Sequence, residues 1–253
     1  MNKFVFITGA TSGFGKACAT IFAQNGWNLV ITGRRNDRLL SFANELRTNF
    51  SIEVESLCFD VRNLEEVNQT IDNLSDPIKS NIEILINNAG LAVGRGPIDK
   101  GEIEDWERMI DTNIKGLLYV TKAVVPFLKT NKKGHIFNLG SIAGKEVYPG
   151  GNVYCATKHA VDALSKAMRI DLVEYQIKVT NIAPGAADTE FSLVRFKGDQ
   201  NTANSVYQGF TPLQAQDIAE TIYFVATRPQ HVTINDLVIM PTAQASASVL
   251  WKE

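Results

Sequence analysis

The chain has 253 residues, 45% hydrophobic and 21% charged with only 8 prolines, a balance that excludes a disordered or fibrous polymer and suits one enzyme-sized core. Its 25 basic and 27 acidic residues leave a formal net charge of -2 with neither sign gathered into a block, so there is no electrostatic footprint for nucleic acid or an anionic membrane. Cys18, Cys58 and Cys155 are odd in number, far apart and free of any C-x-x-C spacing, which argues against a disulfide framework or thiolate metal centre and for reduced thiols.

The first predicted strand, Lys3 to Thr8, is too short for the core of a signal peptide. No later run reaches the about 18 apolar residues of a membrane span, so a soluble cytoplasmic protein is expected. Further strands rich in Val, Ile, Leu or Phe are predicted at Asn28 to Thr32, Glu53 to Phe59, Ile82 to Asn87, His135 to Leu139, Lys178 to Ala183 and Leu237 to Met240. Helical stretches lie between most of them, among them Lys16 to Asn25, Asp37 to Arg47 and Asn63 to Asn73. Alternating strand and helix predicts an α/β, Rossmann-type doubly wound domain around a seven-stranded parallel sheet, a single domain over residues 1 to 253. The least patterned segment, Thr189 to Thr211, is expected to make an excursion over the site and not a strand.

The first strand runs into Thr8-Gly9-Ala10-Thr11-Ser12-Gly13-Phe14-Gly15 and then a helical run, the context that makes a glycine pattern informative. Gly9 permits a tight turn, Gly13 lets backbone approach a pyrophosphate, and Gly15 lets helix and strand pack closely. The helix N-terminus adds unpaired N–H groups, so Gly9, Thr11, Ser12, Gly13, Phe14 and Gly15 are candidate phosphate contacts. The second strand ends in Thr32-Gly33-Arg34-Arg35, where a cofactor without a 2'-phosphate would call for an acid. Arg34 and Arg35 can instead make charge-assisted, bidentate bonds to a 2'-phosphate, so NADP is expected over NAD.

Of the six tyrosines only Tyr154 is followed four positions later by a lysine, Lys158. The surrounding stretch, Val153 to Val173, carries small and apolar residues at helical spacing, which puts both groups on one face one turn apart. A phenol with a pKa of about 10 is a poor base at neutral pH. An adjacent Lys158 ammonium, with the positive ring of an oxidised nicotinamide, is expected to favour the phenolate. His135, His159 and His231 lack mutual spacing and acidic partners, so no metal is expected. Cys155, with no His or Asp constellation, does not point to thiol catalysis.

Taken together, Thr8 to Gly15, Asn87-Asn88-Ala89-Gly90, Asn113, Ser141, Tyr154 to Lys158 and Pro184-Gly185 followed by Thr189 resemble, over essentially the full length, the short-chain dehydrogenases/reductases. The resemblance implies that Asp60 and Val61 border an adenine, that Asn87, Ala89 and Gly90 steady the sheet beside the cofactor, and that Pro184, Gly185, Ala187 and Thr189 hold the nicotinamide end. It makes Tyr154 the general acid/base, Lys158 its tuner and a ribose ligand, Ser141 the group that positions the reacting oxygen, and Asn113 a support of the proton relay.

The segment Thr189 to Asp199, with Gly150 to Tyr154 and Met240-Pro241-Thr242, is similar to the NADP-dependent 3-hydroxy acid dehydrogenase branch, which implies small hydroxy acid substrates such as L-serine, L-allo-threonine, 3-hydroxyisobutyrate and 3-hydroxypropionate, and a homotetramer. A small hydroxy acid needs a cation for its carboxylate, and Arg195 can supply bidentate recognition, although anchoring a loop or interface is an equal alternative. Two features depart from the pattern: Ala186-Ala187-Asp188 replaces a larger apolar residue and Glu, and Arg95 adds a charge near the entrance. A reductase of 3-oxoacyl thioesters on a carrier protein, or another NADPH-dependent carbonyl reductase, is the alternative within enzymes. A non-catalytic dinucleotide sensor is the alternative outside them, weakened by the complete Asn113, Ser141, Tyr154 and Lys158 set.

Overall fold

The structure, a computed structural model, describes residues 3–253. Strand β1 (Phe4–Ile7) shows how the core is divided: Phe4 and Phe6 enter one buried cluster, Val5 and Ile7 the other. Side chains alternate along a strand, so a sheet covered on both faces reads as an unbroken apolar run. The chain continues through α1 (Gly13–Gln24), β2 (Asn28–Gly33), α2 (Asn36–Phe50), β3 (Val54–Cys58), α3 (Leu64–Asp72), α4 (Asp76–Lys79) and β4 (Ile82–Asn87). Next, α5 (Ile103–Ile110) passes through a π-helical turn at Asp111–Gly116 into α6 (Leu117–Thr130), followed by β5 (Gly134–Leu139), α7 (Asn152–Leu172) and β6 (Ile177–Pro184). The last part comprises β7 (Ala187–Asp188), α8 (Phe191–Arg195), α9 (Gln200–Ser205), β8 (Leu213–Gln214), α10 (Ala215–Ala226) and β9 (Asp236–Ile239).

The strands pair in the order β3-β2-β1-β4-β5-β6-β9, every pairing parallel. Cys18 and Phe22 of α1, Leu39 and Phe42 of α2, and Ile218 and Ile222 of α10 cover one face. On the other, Val67 and Ile71 of α3, Val120 and Val124 of α6, and Val161 and Met168 of α7 complete the second layer. Strand order reverses between β1 and β4, so the crevice beyond their carboxyl ends is where such sheets bind ligands.

The seven-stranded parallel sheet expected from the sequence is present, with strand ends displaced by one residue in most cases; β9, for example, begins at Asp236 and stops at Ile239. A two-residue parallel ribbon of β7 and β8 was not expected, because two residues carry no period. It brackets the excursion after Thr189, which contains the short helices α8 and α9 in place of irregular chain.

Candidate active site

The tips of β1 and β4 are stitched together before any ligand is considered. The Thr8 amide donates to the Ile86 carbonyl (3.0 Å), and the Thr8 hydroxyl oxygen accepts from the Asn88 and Ala89 amides (3.0 and 2.9 Å). Asn88 returns the favour through Nδ2, which donates to the Thr8 and Gly9 carbonyls (2.8 and 3.0 Å). Gly9 sits at φ +66°, in the left-handed region that favours glycine, and a Cβ there would press on Asn88 and Ala89. At Gly15 an added Cβ would collide with the Gly9 carbonyl and the Asn88 amide, so this glycine sets the approach of α1 to the strands. A Cβ at Gly13 would meet Thr189, which places the turn against the far side of the crevice.

The crevice is a cleft of about 1150 Å³. Gly9, Thr11, Ser12, Gly13 and Phe14 line one end with Arg34, Arg35, Asp60 and Val61; Ala89, Gly90, Ser141, Tyr154, Lys158, Pro184, Gly185, Ala187, Thr189 and Arg195 line the rest. Three sequence candidates lie behind this wall. Gly15 belongs to the turn's packing. Asn87 is buried, donating through Nδ2 to Thr121 Oγ1 and Asn138 Oδ1 (both 2.9 Å). Asn113, in the π-helical turn, accepts from the Leu91 amide and donates to the Leu91 carbonyl (both 2.8 Å) and to Thr157 Oγ1 (3.1 Å).

At the cationic end, Arg35 donates to the hydroxyls of Thr11 (3.0 Å) and Ser12 (3.3 Å) and to the Glu190 carboxylate (3.1 Å). Arg38, one turn along α2, reaches the same carboxylate at 3.2 Å. Arg34 lies 3.7 Å from Asp60, which is chelated by Arg62. Partial burial works against the Asp60 carboxylate, yet the Arg62 bonds and the Arg62 and Arg34 charges hold its carboxyl below the usual range. Backbone room at Gly9 and Gly13, hydroxyls at Thr11 and Ser12 and guanidinium groups beside them form a donor set suited to a dinucleotide with an additional phosphate.

At the opposite end, Ser141 caps the turn after β5, its Oγ accepting from the Ala143 amide at 3.1 Å. Tyr154 and Lys158 follow on α7, and the Lys158 ammonium donates to the Leu139 carbonyl at 2.7 Å. Burial lowers the Lys158 pKa to about 8. Burial, with Tyr148 beside it, raises the Tyr154 phenol above its ordinary value, while the Ser141 hydroxyl and the Arg195 guanidinium draw it down. The sequence-based expectation that Lys158 acidifies the phenol therefore meets a different arrangement: the ammonium is turned to Leu139, 5.9 Å from the Tyr154 ring centre. Arg195 lies 5.8 Å from that ring and donates to the Tyr148 hydroxyl at 3.0 Å. Its Nε is buried without a hydrogen-bond partner among the described residues.

Tyr148 and Arg38 carry no mark in the sequence, and Glu190 stands out there only as part of the segment Thr189 to Asp199; all three reach the site by tertiary folding. Asn88 belongs to the Asn87 to Gly90 motif, but spacing along the chain carries no sign of its bonds to the Thr8 and Gly9 carbonyls.

A family profile described as short chain dehydrogenase matches residues 3–199. Sulfoacetaldehyde reductase 2 of Chromohalobacter salexigens is 47% identical over 246 residues, covering 97% of this chain and 96% of the relative. The NADP-dependent 3-hydroxy acid dehydrogenase YdfG of Escherichia coli strain K12 is 45% identical over 247 residues, covering 97% of each chain. A serine dehydrogenase solved in its closed form with NADP+ superposes with a TM-score of 0.91 at 44% identity, covering 99% of both chains. The glycine turn, the Ser141, Tyr154 and Lys158 cluster and these likenesses lead to one conclusion: the chain belongs to the short chain dehydrogenase family.

Proposed function

We propose that the protein is an NADP-dependent oxidoreductase that interconverts the hydroxyl of a small 3-hydroxy acid and the corresponding carbonyl. The observation that carries the substrate reading is Arg195, whose guanidinium stands beside Tyr154 and Tyr148 with a buried, unused Nε donor. A buried unpaired donor is costly, and a substrate carboxylate would satisfy it. Relatives named 3-hydroxy acid dehydrogenase and serine dehydrogenase support the same class.

The bound cofactor supplies or accepts the hydride. Tyr154 exchanges the hydroxyl proton, Ser141 orients the reacting oxygen, and Lys158 holds charge beside them and donates to the ribose. Asn113 acts from behind the wall, fixing the backbone at Leu91 and linking to α7 through Thr157. Arg34 and Arg35 take the 2'-phosphate, Gly9 to Phe14 the pyrophosphate, Asp60 and Val61 the adenine, and Pro184 to Thr189 the nicotinamide end. Gly15 and Asn87 serve by positioning the turn and β4.

A second reading replaces the carboxylate by a sulfonate, as in the relative named sulfoacetaldehyde reductase 2. We further propose a cytoplasmic, single-domain protomer over residues 1–253 that assembles as a homotetramer. Among the described residues no helix is long and apolar enough to cross a membrane. Exposed Ile170 and Val173 near the end of α7 would be covered in an assembly.

Reduced-nicotinamide absorbance, followed with L-serine, L-allo-threonine and 3-hydroxypropionate against NADP and NAD separately, tests the proposal. Turnover favouring NADP is expected. Silence on every hydroxy acid, with NADPH-dependent reduction of an acetoacetyl thioester, would transfer the assignment to 3-oxoacyl reduction.

A further inference from the structure

The loop after β4 carries a second cation into the substrate end of the cleft. Arg95 lines the cleft, and its guanidinium carbon lies 6.0 Å from the Tyr148 ring centre; that of Arg195 lies 5.4 Å from the same ring. Neither arginine has a carboxylate partner within salt-bridge distance among the described residues. Asp105, which lines the adjoining small cavity, is engaged by Lys197 at 2.8 Å. The loop is held from two sides. The Gly94 amide donates to the Arg195 carbonyl (3.0 Å), and the Gly96 carbonyl accepts from Asn152 Nδ2 (3.0 Å) at the start of α7.

Two guanidinium groups without a carboxylate partner around one tyrosine ring raise the local positive potential, which an entering anion lowers. A planar carboxylate presents its two oxygens in one plane, and one bidentate guanidinium uses both. A tetrahedral anion has a third oxygen outside that plane, available to a donor from another direction. We propose that Arg95 is a specificity-determining residue: together with Arg195 it lets the site that takes the carboxylate of a small hydroxy acid also take a three-oxygen anion, a sulfonate, and Arg95 sets the ratio between the two. The proposal rests on the reading of Arg195 as the anion anchor given above.

The test compares kcat/KM for NADPH-dependent reduction of sulfoacetaldehyde, malonate semialdehyde and uncharged propanal by the unaltered protein, Arg95→Met and Arg95→Lys. In Arg95→Met the sulfonate-to-carboxylate ratio is expected to fall about tenfold, equivalent to about 1.4 kcal/mol. Lysine, which keeps the charge without the planar fork, should restore part of it. Because Arg95 is exposed, added salt should shrink the ratio in the unaltered protein and leave it nearly constant in Arg95→Met. An unchanged ratio in Arg95→Met overturns the role of Arg95 while leaving the oxidoreductase reading intact. If the unaltered protein prefers propanal to both charged aldehydes, the anion-site reading fails and this proposal with it.

Discussion

Tyr154 illustrates how much of the chemistry waits for a partner. Its phenol is 8% exposed, and burial drives its proton affinity up, so the folded chain alone holds a firmly protonated acid. Protonation is the state needed to donate to a carbonyl oxygen during reduction; in the oxidative direction, positive charge brought near the ring has to offset the burial. Replacing the hydroxyl by hydrogen in Tyr154→Phe removes the proton without changing the ring that packs 5.6 Å from Phe191. Turnover should therefore fall by about 10²- to 10⁴-fold, whereas NADPH fluorescence on binding should persist. A variant that binds cofactor and keeps full kcat would remove Tyr154 from the reaction. Lys158 has its own protein ligand in the Leu139 carbonyl, which explains how a nearly dry ammonium is tolerated at this depth.

Among the elements, the turn between β1 and α1 is the most tightly specified. Gly15 faces backbone, not a movable side chain, so Gly15→Ala has to push α1 away from Gly9. Overpacking of this kind costs about 1–3 kcal/mol, and a lower urea midpoint together with weaker NADP affinity is the expected result. An unaltered midpoint and affinity would mean that the helix yields freely. This turn was legible in the sequence because its glycines recur at fixed offsets between a strand and a helix. The parallel sheet was legible for a related reason, since strands buried on both faces leave uninterrupted apolar runs such as Phe4 to Ile7. Asn113 shows where legibility stops. The family resemblance implies its site role, but its π-helical geometry and its bonds to Leu91 and Thr157 arise from three elements meeting, which spacing along the chain does not encode. The pairing of β7 with β8 and the convergence of Arg35, Arg38 and Glu190 were invisible for the same reason.

At the scale of the whole molecule, His135 on β5 is expected to make stability sensitive to acid. His135 on β5 is 3% exposed, stacks on Phe137 with ring centres 4.0 Å apart and shares a 2.8 Å hydrogen bond with Thr180. Burial, with the nearby Lys178 charge, lowers its pKa to about 3, against about 6.5 for an unfolded chain. Above the higher value the ring is neutral in both states and makes no difference. As pH falls from about 6.5 towards about 3 the unfolded chain gains a proton that the native state refuses, so stability declines through that window. Urea midpoints at pH 7, 6, 5 and 4 should fall less steeply in His135→Gln than in the unaltered protein; parallel slopes would show that other groups govern the decline. The Glu190 contact with Arg35 and Arg38 carries a kinetic prediction. Glu190 opens the excursion that carries Arg195, while Arg35 belongs to the phosphate end, so one carboxylate spans two territories that different ligands would occupy. On the proposed placement of a 2'-phosphate at Arg35, the phosphate would compete with Glu190, loosen its hold and free the segment that follows Glu190 to adjust to the next ligand. Binding should accordingly follow a compulsory sequence, dinucleotide before hydroxy acid, and initial-rate product inhibition should report that sequence in the unaltered protein and a random one in Glu190→Gln.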